Sequence, residues 1–259
     1  MLGLLLLIPA VGCLAGTVAV HLRAGRWPAR RTASWFAGLA CACAAVTGPL
    51  ADRAHHDFAA HMVGHLLLGM AAPLLLVLAA PVTLALRALP TRRARLLSRL
   101  LRSRPARLLT HPVTAAALNA GGLWVLYTTS LYQQMAHHPW LHLLMHTHVL
   151  VAGYLFTAAI IGVDPAPHRP GYRLRAAVLV AFLAAHGMLA KHLYAHPPPG
   201  VPEAQAQAGG QLMYYGGDLL DLILIAIFCW QWYAATDPRT RRRPIMPSRR
   251  TWRLPDHVR

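Results

Sequence analysis

Seven long apolar stretches, separated by short polar segments, divide this chain of 259 residues. Each stretch holds roughly the 20 apolar residues that an α-helix needs to cross the hydrocarbon core of a bilayer. The pattern therefore predicts an all-α fold, a polytopic transmembrane bundle of seven helices within a domain of residues 1–238. The predicted spans cover residues 2–22, 33–51, 58–86, 112–135, 140–163, 176–196 and 211–235.

The third predicted span is longer than a bilayer requires and contains Pro73 and Pro81. A proline inside a helix removes one backbone hydrogen bond and crowds the preceding turn, so we expect a kink near Pro73. The stretch 197–210, rich in proline and glutamine, is predicted to be the only sizeable outer loop.

The basic residues fall in alternate loops, and this sets the predicted orientation. Four segments hold 23 of the 25 lysines and arginines, whereas the other loops hold only Arg53. Because these residues accumulate on the cytoplasmic side of membrane proteins, we predict the N-terminus outside and the C-terminus inside. The basic segments are 23–31, 87–107, 169–175 and a cytoplasmic tail over 239–259.

Composition supports a multi-pass membrane protein, since 56% of the residues are hydrophobic and 13% are charged. The net charge of +17 is confined to short runs between apolar stretches, which argues against nucleic acid as a partner. The four cysteines all lie within apolar segments, so a disulfide framework is not expected.

The loop over residues 92–107 has the pattern of an amphipathic helix with a leucine stripe and an arginine stripe. Such a helix usually lies on anionic lipid at the membrane surface, which we favour over a docking site for a partner protein. The stripes are Leu96, Leu97, Leu100 and Leu101, and Arg92, Arg95, Arg99 and Arg102.

Eleven of the 16 histidines fall in the predicted outer half of the bundle, and six of them form pairs with i,i+4 spacing. Each pair puts two imidazoles on one helix face. At ~1.5 Å of rise per residue the three pairs lie at similar depth, so they converge on one site if their spans are neighbours. The pairs are His61 with His65, His142 with His146, and His192 with His196.

Imidazole is costly within a membrane unless it faces a partner or an aqueous cavity, so these histidines are candidate metal ligands. Methionines occupy the same layer, and imidazole with thioether suits copper, especially Cu(I), better than magnesium or calcium. A lone histidine is more often an interfacial anchor or a hydrogen-bonded core residue, the interpretation we keep for His137, His138 and His168. The predicted copper ligands are the three pairs, His56, Met62 and Met213, with Met135 and Met145 in the same layer.

Asp218 and Asp221 share a helix face at i,i+3 within apolar surroundings and therefore need partners. Lys191, at a similar predicted depth, is one candidate as a structural counter-ion. Alternatively, an aspartate orients a ligating histidine through its second ring nitrogen. The two interpretations stay open at this point.

Several motifs, taken in their order and spacing, match one membrane protein family. They include HDFAAHMVGH at 56–65 with the LLLGMAAPLLLVLAAPV that follows, HLLMH at 142–146, and GGQLMYYGGD at 209–218. In these the chain resembles the CtaG family, the bacterial cytochrome c oxidase assembly factors. It departs from the pattern at Tyr127 and Thr129, where relatives carry His and Pro, and at Tyr214, which replaces a Trp.

The resemblance implies a seven-span protein of a bacterial cell membrane that helps to insert copper into the catalytic subunit of a haem-copper oxidase. On that basis His61, His65, His142 and His146 are the best candidate ligands. The expected partners are that subunit and an extracytoplasmic copper donor, and no enzymatic activity is expected.

The leading hypothesis is a copper chaperone that passes Cu(I) by ligand exchange. A haem-bearing redox protein is the first alternative, because paired histidines on facing helices can ligate a haem axially. The second is a proton-coupled transporter in which histidines, Lys191, Asp218 and Asp221 form a relay across the membrane. The ionisable groups thin out toward the cytoplasmic half of the helices, which argues against this alternative.

Overall fold

The computed structural model describes residues 7–22 and 25–237, and every regular element among them is helical. The all-α prediction is thereby confirmed for the described residues. The α-helices are α1 Leu7–Leu22, α2 Ala29–Val46, α3 Gly48–Ala54, α4 Phe58–Leu66, α5 Ala72–Leu78, α6 Pro81–Ala88, α7 Thr91–Leu101, α8 Arg104–Leu109, α9 Pro112–Thr128, α10 Leu131–His137, α11 Pro139–Ile161, α12 Tyr172–Ala195 and α13 Glu203–Thr236.

Within residues 7–22 and 25–237, four continuous helices are long and apolar enough to cross a membrane, namely Phe58–Leu78, α11, α12 and α13. A fifth is obtained when α2 and α3, which are bent by 41° at their junction, are counted as one span. Helices α1 and α9, with 16 and 17 residues, are shorter than the ~20 residues of a typical span. The helices agree with a membrane protein, whereas the number of seven spans and their orientation stay predictions.

The third predicted span differs from its expected course. It ends at Leu78 rather than at residue 86, because Ala80 has a left-handed backbone with φ 55° and Pro81 begins the separate helix α6. Before Pro73 the helix widens into a π-helical segment, Leu67–Ala71. Since proline offers no N–H to the carbonyl four residues earlier, this wider turn accommodates Pro73 where we expected a kink.

Two further boundaries differ from the predicted ones. Helix α13 begins at Glu203, so the predicted loop 197–210 is shortened by a first turn rich in alanine and glutamine, which are good helix formers. The fourth span ends at Thr128, and α10 is a separate short helix. The predicted basic tail over 239–259 lies outside the described residues.

The helix that runs from α4 through the π-helical segment to α5 is central, with α2, α11 and α13 packed around it. Its approach to α11 is especially close, because a Cβ on Gly153 would collide with the carbonyl oxygen of Gly69 and lie 3.0 Å from Pro73 Cγ. Small residues at such crossings let helix backbones approach each other. Glycine at position 153 therefore sets the spacing between the two helices that carry the His61 and His142 pairs.

Polar side chains close the end of the bundle opposite the histidines. Asp164, in the loop after α11, accepts hydrogen bonds from Val82 N at 3.1 Å and from Thr83 N at 2.7 Å, and so caps α6. Buried Arg175 donates to the carbonyl of Ile160 at 2.8 Å. These contacts satisfy the free backbone groups at the two helix ends.

The predicted amphipathic segment is helical, as α7 and then α8, with a break at residues 102–103. Its residues Leu96 and Leu100 are exposed. The helical prediction is confirmed, and contact with anionic lipid stays a prediction.

Candidate metal-binding cavity

One end of the bundle contains a cavity of about 330 Å³ between α3, α4, α10, α11 and the loop before α13. Besides histidines, its walls include Tyr132, Met135 and Gln205. The histidines that line it are His55, His56, His61, His137, His142 and His146.

The start of α4 is fixed by two polar side chains at this cavity. Asp57 accepts hydrogen bonds from the backbone N–H groups of Ala59 at 2.8 Å and Ala60 at 3.4 Å, the usual role of an N-cap residue. Gln205 Oε1 accepts from Phe58 N at 3.1 Å, which ties α4 to the first turn of α13. The orientation of His61 one turn later follows from this anchored helix start.

His61 is held by two tyrosines. Its Nε2 lies 3.0 Å from the hydroxyl of Tyr127, and its ring centroid lies 5.1 Å from that of Tyr132. Tyr127 is one of the positions at which the sequence departs from the family pattern, and in the structure it is buried against His61. A hydroxyl on one ring nitrogen fixes the imidazole and leaves Nδ1 as the nitrogen for a ligand.

The second pair presents its nitrogens differently. The rings of His142 and His146 stack with centroids 4.0 Å apart, and His55 stacks on His142 at 5.6 Å. His146 Nδ1 lies 2.8 Å from the carbonyl oxygen of His142. Because a carbonyl only accepts, Nδ1 carries the proton and Nε2 of the neutral ring keeps its lone pair for a ligand.

A smaller chamber of about 30 Å³ lies below the cavity. His61 and His146 line both spaces, His65 joins them in the chamber, and Met135 and Met145 complete its donor groups. Two of the three predicted pairs therefore converge. Met135 and Met145, which the sequence placed at the same depth without predicting them as ligands, lie beside them.

The other two predicted methionines lie elsewhere. Met62 and Met213 are both fully buried and pack in the apolar core near Phe58, outside the lining of the cavity and of the chamber. Methionine commonly fills irregular core space in this way.

The third predicted pair, on α12, faces a different direction. The rings of His192 and His196 stack with centroids 4.7 Å apart, and Trp124 lies 5.9 Å from His192. Neither histidine lines the cavity or the chamber. The structure thus brings together the pairs on α4 and α11 and leaves the α12 pair apart.

Lys191 and the two aspartates occupy different levels of the bundle. Lys191, on α12, places its Nζ over the ring of Tyr214 on α13, 5.1 Å from the ring centroid. Asp221 lies seven residues beyond Tyr214 along α13, a rise of about 10 Å. Asp221 is buried at a small cavity of about 20 Å³ with Asn119 and Thr157, and Asp218 is exposed. Lys191 therefore lies nearer the level of Asp218 than that of Asp221, and its role as a counter-ion stays a prediction.

No finished metal site exists among the described residues, since no three His, Cys, Asp or Glu side chains are placed to hold one ion together. The four cysteines are free and lie outside the cavity lining. The imidazoles that line the cavity are carried by three helices and are partly exposed. They would have to rotate before they could bind one metal ion together.

Two histidines that sequence reasoning did not assign lie against predicted ones. His55 stacks on His142. The only sequence feature that could have identified it is its position next to the predicted ligand His56. His186 lies parallel to His65 with ring centroids 6.2 Å apart and an interplanar angle of 19°. Its burial in α12 could not be read from a helix that is apolar all round.

Comparison with known proteins gives one family. The model of the cytochrome c oxidase caa3 assembly factor family (Caa3_CtaG) matches residues 11–235. The chain is 38% identical over 186 residues to the uncharacterized proteins Mb0105 of Mycobacterium bovis and MT0111 of Mycobacterium tuberculosis, covering 68% of this chain and 28% of each relative.

A third relative, the uncharacterized protein ML1998 of Mycobacterium leprae, is 31% identical over 196 residues, or 72% of this chain and 29% of that protein. The chain thus spans less than a third of the length of these curated relatives. No solved structure matches it.

Proposed function

The chain belongs to the family of cytochrome c oxidase caa3 assembly factors, and from that premise we propose that it binds Cu(I) in the histidine cavity and delivers it to a haem-copper oxidase. The observation that carries the proposal is the convergence of the α4 and α11 histidine pairs with two methionines. The recipient we propose is the copper site of the oxidase catalytic subunit.

The chemistry of the donors supports a soft, exchangeable cargo. Neutral imidazole nitrogens and thioethers prefer Cu(I), whereas hard cations such as Mg²⁺ and Ca²⁺ require oxygen ligands. We propose that a second protein offers its own ligands to the ion at the mouth of this cavity of about 330 Å³. Transfer then proceeds by ligand exchange, and no bond within a substrate breaks.

The predicted orientation places the cavity on the extracytoplasmic side of a bacterial cell membrane. An extracytoplasmic copper donor would load it there, and the oxidase subunit would receive the ion from the same side. These partners are proposals that follow from the position of the cavity and from family membership.

A pair of double variants tests the proposal. The purified protein in detergent is titrated with Cu(I) against a chromophoric chelator, and we expect tight binding with one ion held in the cavity. His142→Ala with His146→Ala removes the cavity pair and should weaken binding at the cavity strongly. His192→Ala with His196→Ala removes an equally spaced pair outside the cavity and should leave binding unchanged.

Equal Cu(I) binding by the two double variants would contradict the proposal. The visible spectrum of the same preparations tests the haem alternative, because a Soret band that shifts on reduction would indicate a bound haem. Copper uptake by proteoliposomes would instead favour a transporter.

A further inference from the structure

Below the cavity, two buried histidine rings lie nearly parallel to each other. We propose that His65 and His186 form a second, buried Cu(I) site in which two imidazoles hold the ion in near-linear coordination. This inference rests on the Cu(I) binding proposed above and adds a residue, His186, and a site that the cavity does not contain.

The first argument is the state of the two rings. His65 is 7% exposed and His186 is 4% exposed. In the described part of the chain the Nε2 atoms of both are buried and have no hydrogen-bond partner. A buried polar nitrogen without a partner is unfavourable. Two of them on rings whose centroids lie 6.2 Å apart point to a ligand that binds between the rings.

The second argument is the distance between the rings. Their centroids are 6.2 Å apart and their planes are inclined by only 19°. Imidazole nitrogens bind metals at about 2 Å, so two imidazoles with one ion in line between them have centroids roughly 6 Å apart. The observed centroid spacing of 6.2 Å therefore suits a two-coordinate ion once both Nε2 atoms are turned toward each other. Cu(I) accepts such a geometry, and hard divalent cations do not.

The surroundings of the pair select for a soft ion and make room for the rings. Tyr127 lies 6.4 Å from His65 and Phe182 lies 6.0 Å from His186, measured between ring centroids. A Cβ on Gly217 would lie 2.7 Å from His186 Cε1, so glycine at this position leaves the space that the imidazole fills. Phe182 offers no oxygen ligand, and the hydroxyl of Tyr127 lies 3.0 Å from His61 Nε2.

His65 is the member of the pair that the chamber below the cavity reaches. His65 lines the chamber that His61 and His146 share with the cavity, which gives the ion a sequence of imidazoles to move along. Beyond the pair, Phe156 and Phe182 stack at 4.0 Å within an apolar cluster. The cavity is thus a loading site, the buried pair is a holding site, and the ion enters and leaves at one end.

Copper stoichiometry of the full chain in detergent tests the proposal. Wild-type protein should bind two Cu(I), and His186→Ala should bind one, retained in the cavity. The control His148→Ala removes another histidine of the bundle, one that contacts the Leu118 carbonyl at 3.1 Å, and should still bind two. Circular dichroism and size exclusion check the fold, and His186→Phe keeps the ring volume if the alanine variant is unstable.

X-ray absorption of the variant that lacks His142 and His146 gives an independent measurement. With the cavity pair removed, the remaining Cu(I) should have two nitrogen neighbours at about 2 Å and no sulfur. A His186 variant that binds as much Cu(I) as wild type, or a remaining ion with three or more ligands, would overturn the buried site and leave the cavity proposal standing. Absence of Cu(I) from the wild-type protein would overturn both.

Discussion

The close crossing of α11 over the π-helical segment gives a quantitative prediction for Gly153→Ala. The added Cβ would collide with the carbonyl oxygen of Gly69 and lie 3.0 Å from Pro73 Cγ. Carbon atoms seldom approach a carbonyl oxygen closer than about 3.3 Å, so α11 must retreat by about 1 Å. Neither the proline ring nor the backbone carbonyl can rotate away, and overpacking of this kind costs about 1–3 kcal/mol.

Gly121→Ala is the matched control, because Gly121 also lies within a helix, α9, and a Cβ there would meet nothing within 4 Å. Both substitutions gain the same ~0.5–1 kcal/mol of helix propensity over glycine. The difference between the two variants therefore isolates the cost of the collision, about 1–3 kcal/mol.

Thermal unfolding in detergent measures this difference. For a protein of this size 1 kcal/mol corresponds to about 2–4 °C, so the Gly153 variant should melt roughly 2–12 °C below the Gly121 variant. Since α11 carries His146 and the π-helical segment follows His65, Cu(I) binding should weaken in the Gly153 variant as well. Equal melting temperatures for the two variants would refute the reasoning.

Three further predictions concern other contacts. Tyr127→Phe removes the hydroxyl from His61 Nε2 and should weaken Cu(I) binding by about 10-fold or more in chelator competition; unchanged affinity would contradict a positioning role. Asp164→Ala removes the cap of α6 and should lower stability by about 0.5–2 kcal/mol in thermal unfolding while Cu(I) binding persists. Replacing four arginines by glutamine should abolish thermal stabilisation by anionic over zwitterionic lipid in nanodiscs, at about 1 kcal/mol per arginine, and persistent stabilisation would exclude lipid contact. Those arginines are Arg92, Arg95, Arg99 and Arg102.

The convergence of two histidine pairs was predictable because helical rise fixes depth and i,i+4 spacing fixes a shared face. The rotation of each helix about its axis was not. The buried face of α12 includes Phe182, His186 and Leu193, while His192 and His196 point away from the cavity. In a membrane the lipid-facing and core-facing positions of a helix are equally apolar, so hydrophobic pattern does not distinguish His186 from His192.

The ends of the elements show a similar limit. The apolar run over 58–86 continues across the break at Ala79 and Ala80, because α6 packs its own apolar face against α1. Pro81 was the visible signal for a new helix start, since proline is favoured in the first turn. The left-handed backbone of Ala80 had no such signal, because alanine rarely adopts it.

The position of the polar groups argues for exchange at one end of the bundle rather than passage through it. Histidines lead from the cavity to the His65 and His186 pair, and Asp221 with Asn119 lies just beyond. Below that level α12 buries Leu179 and Val178 against the apolar cluster before Arg175, whose guanidinium is bonded to the end of α11. A carrier needs ligands that an ion can reach from both sides. A protein that takes Cu(I) and returns it on the same side needs only one open end and a protected interior, and the described helices fit that requirement.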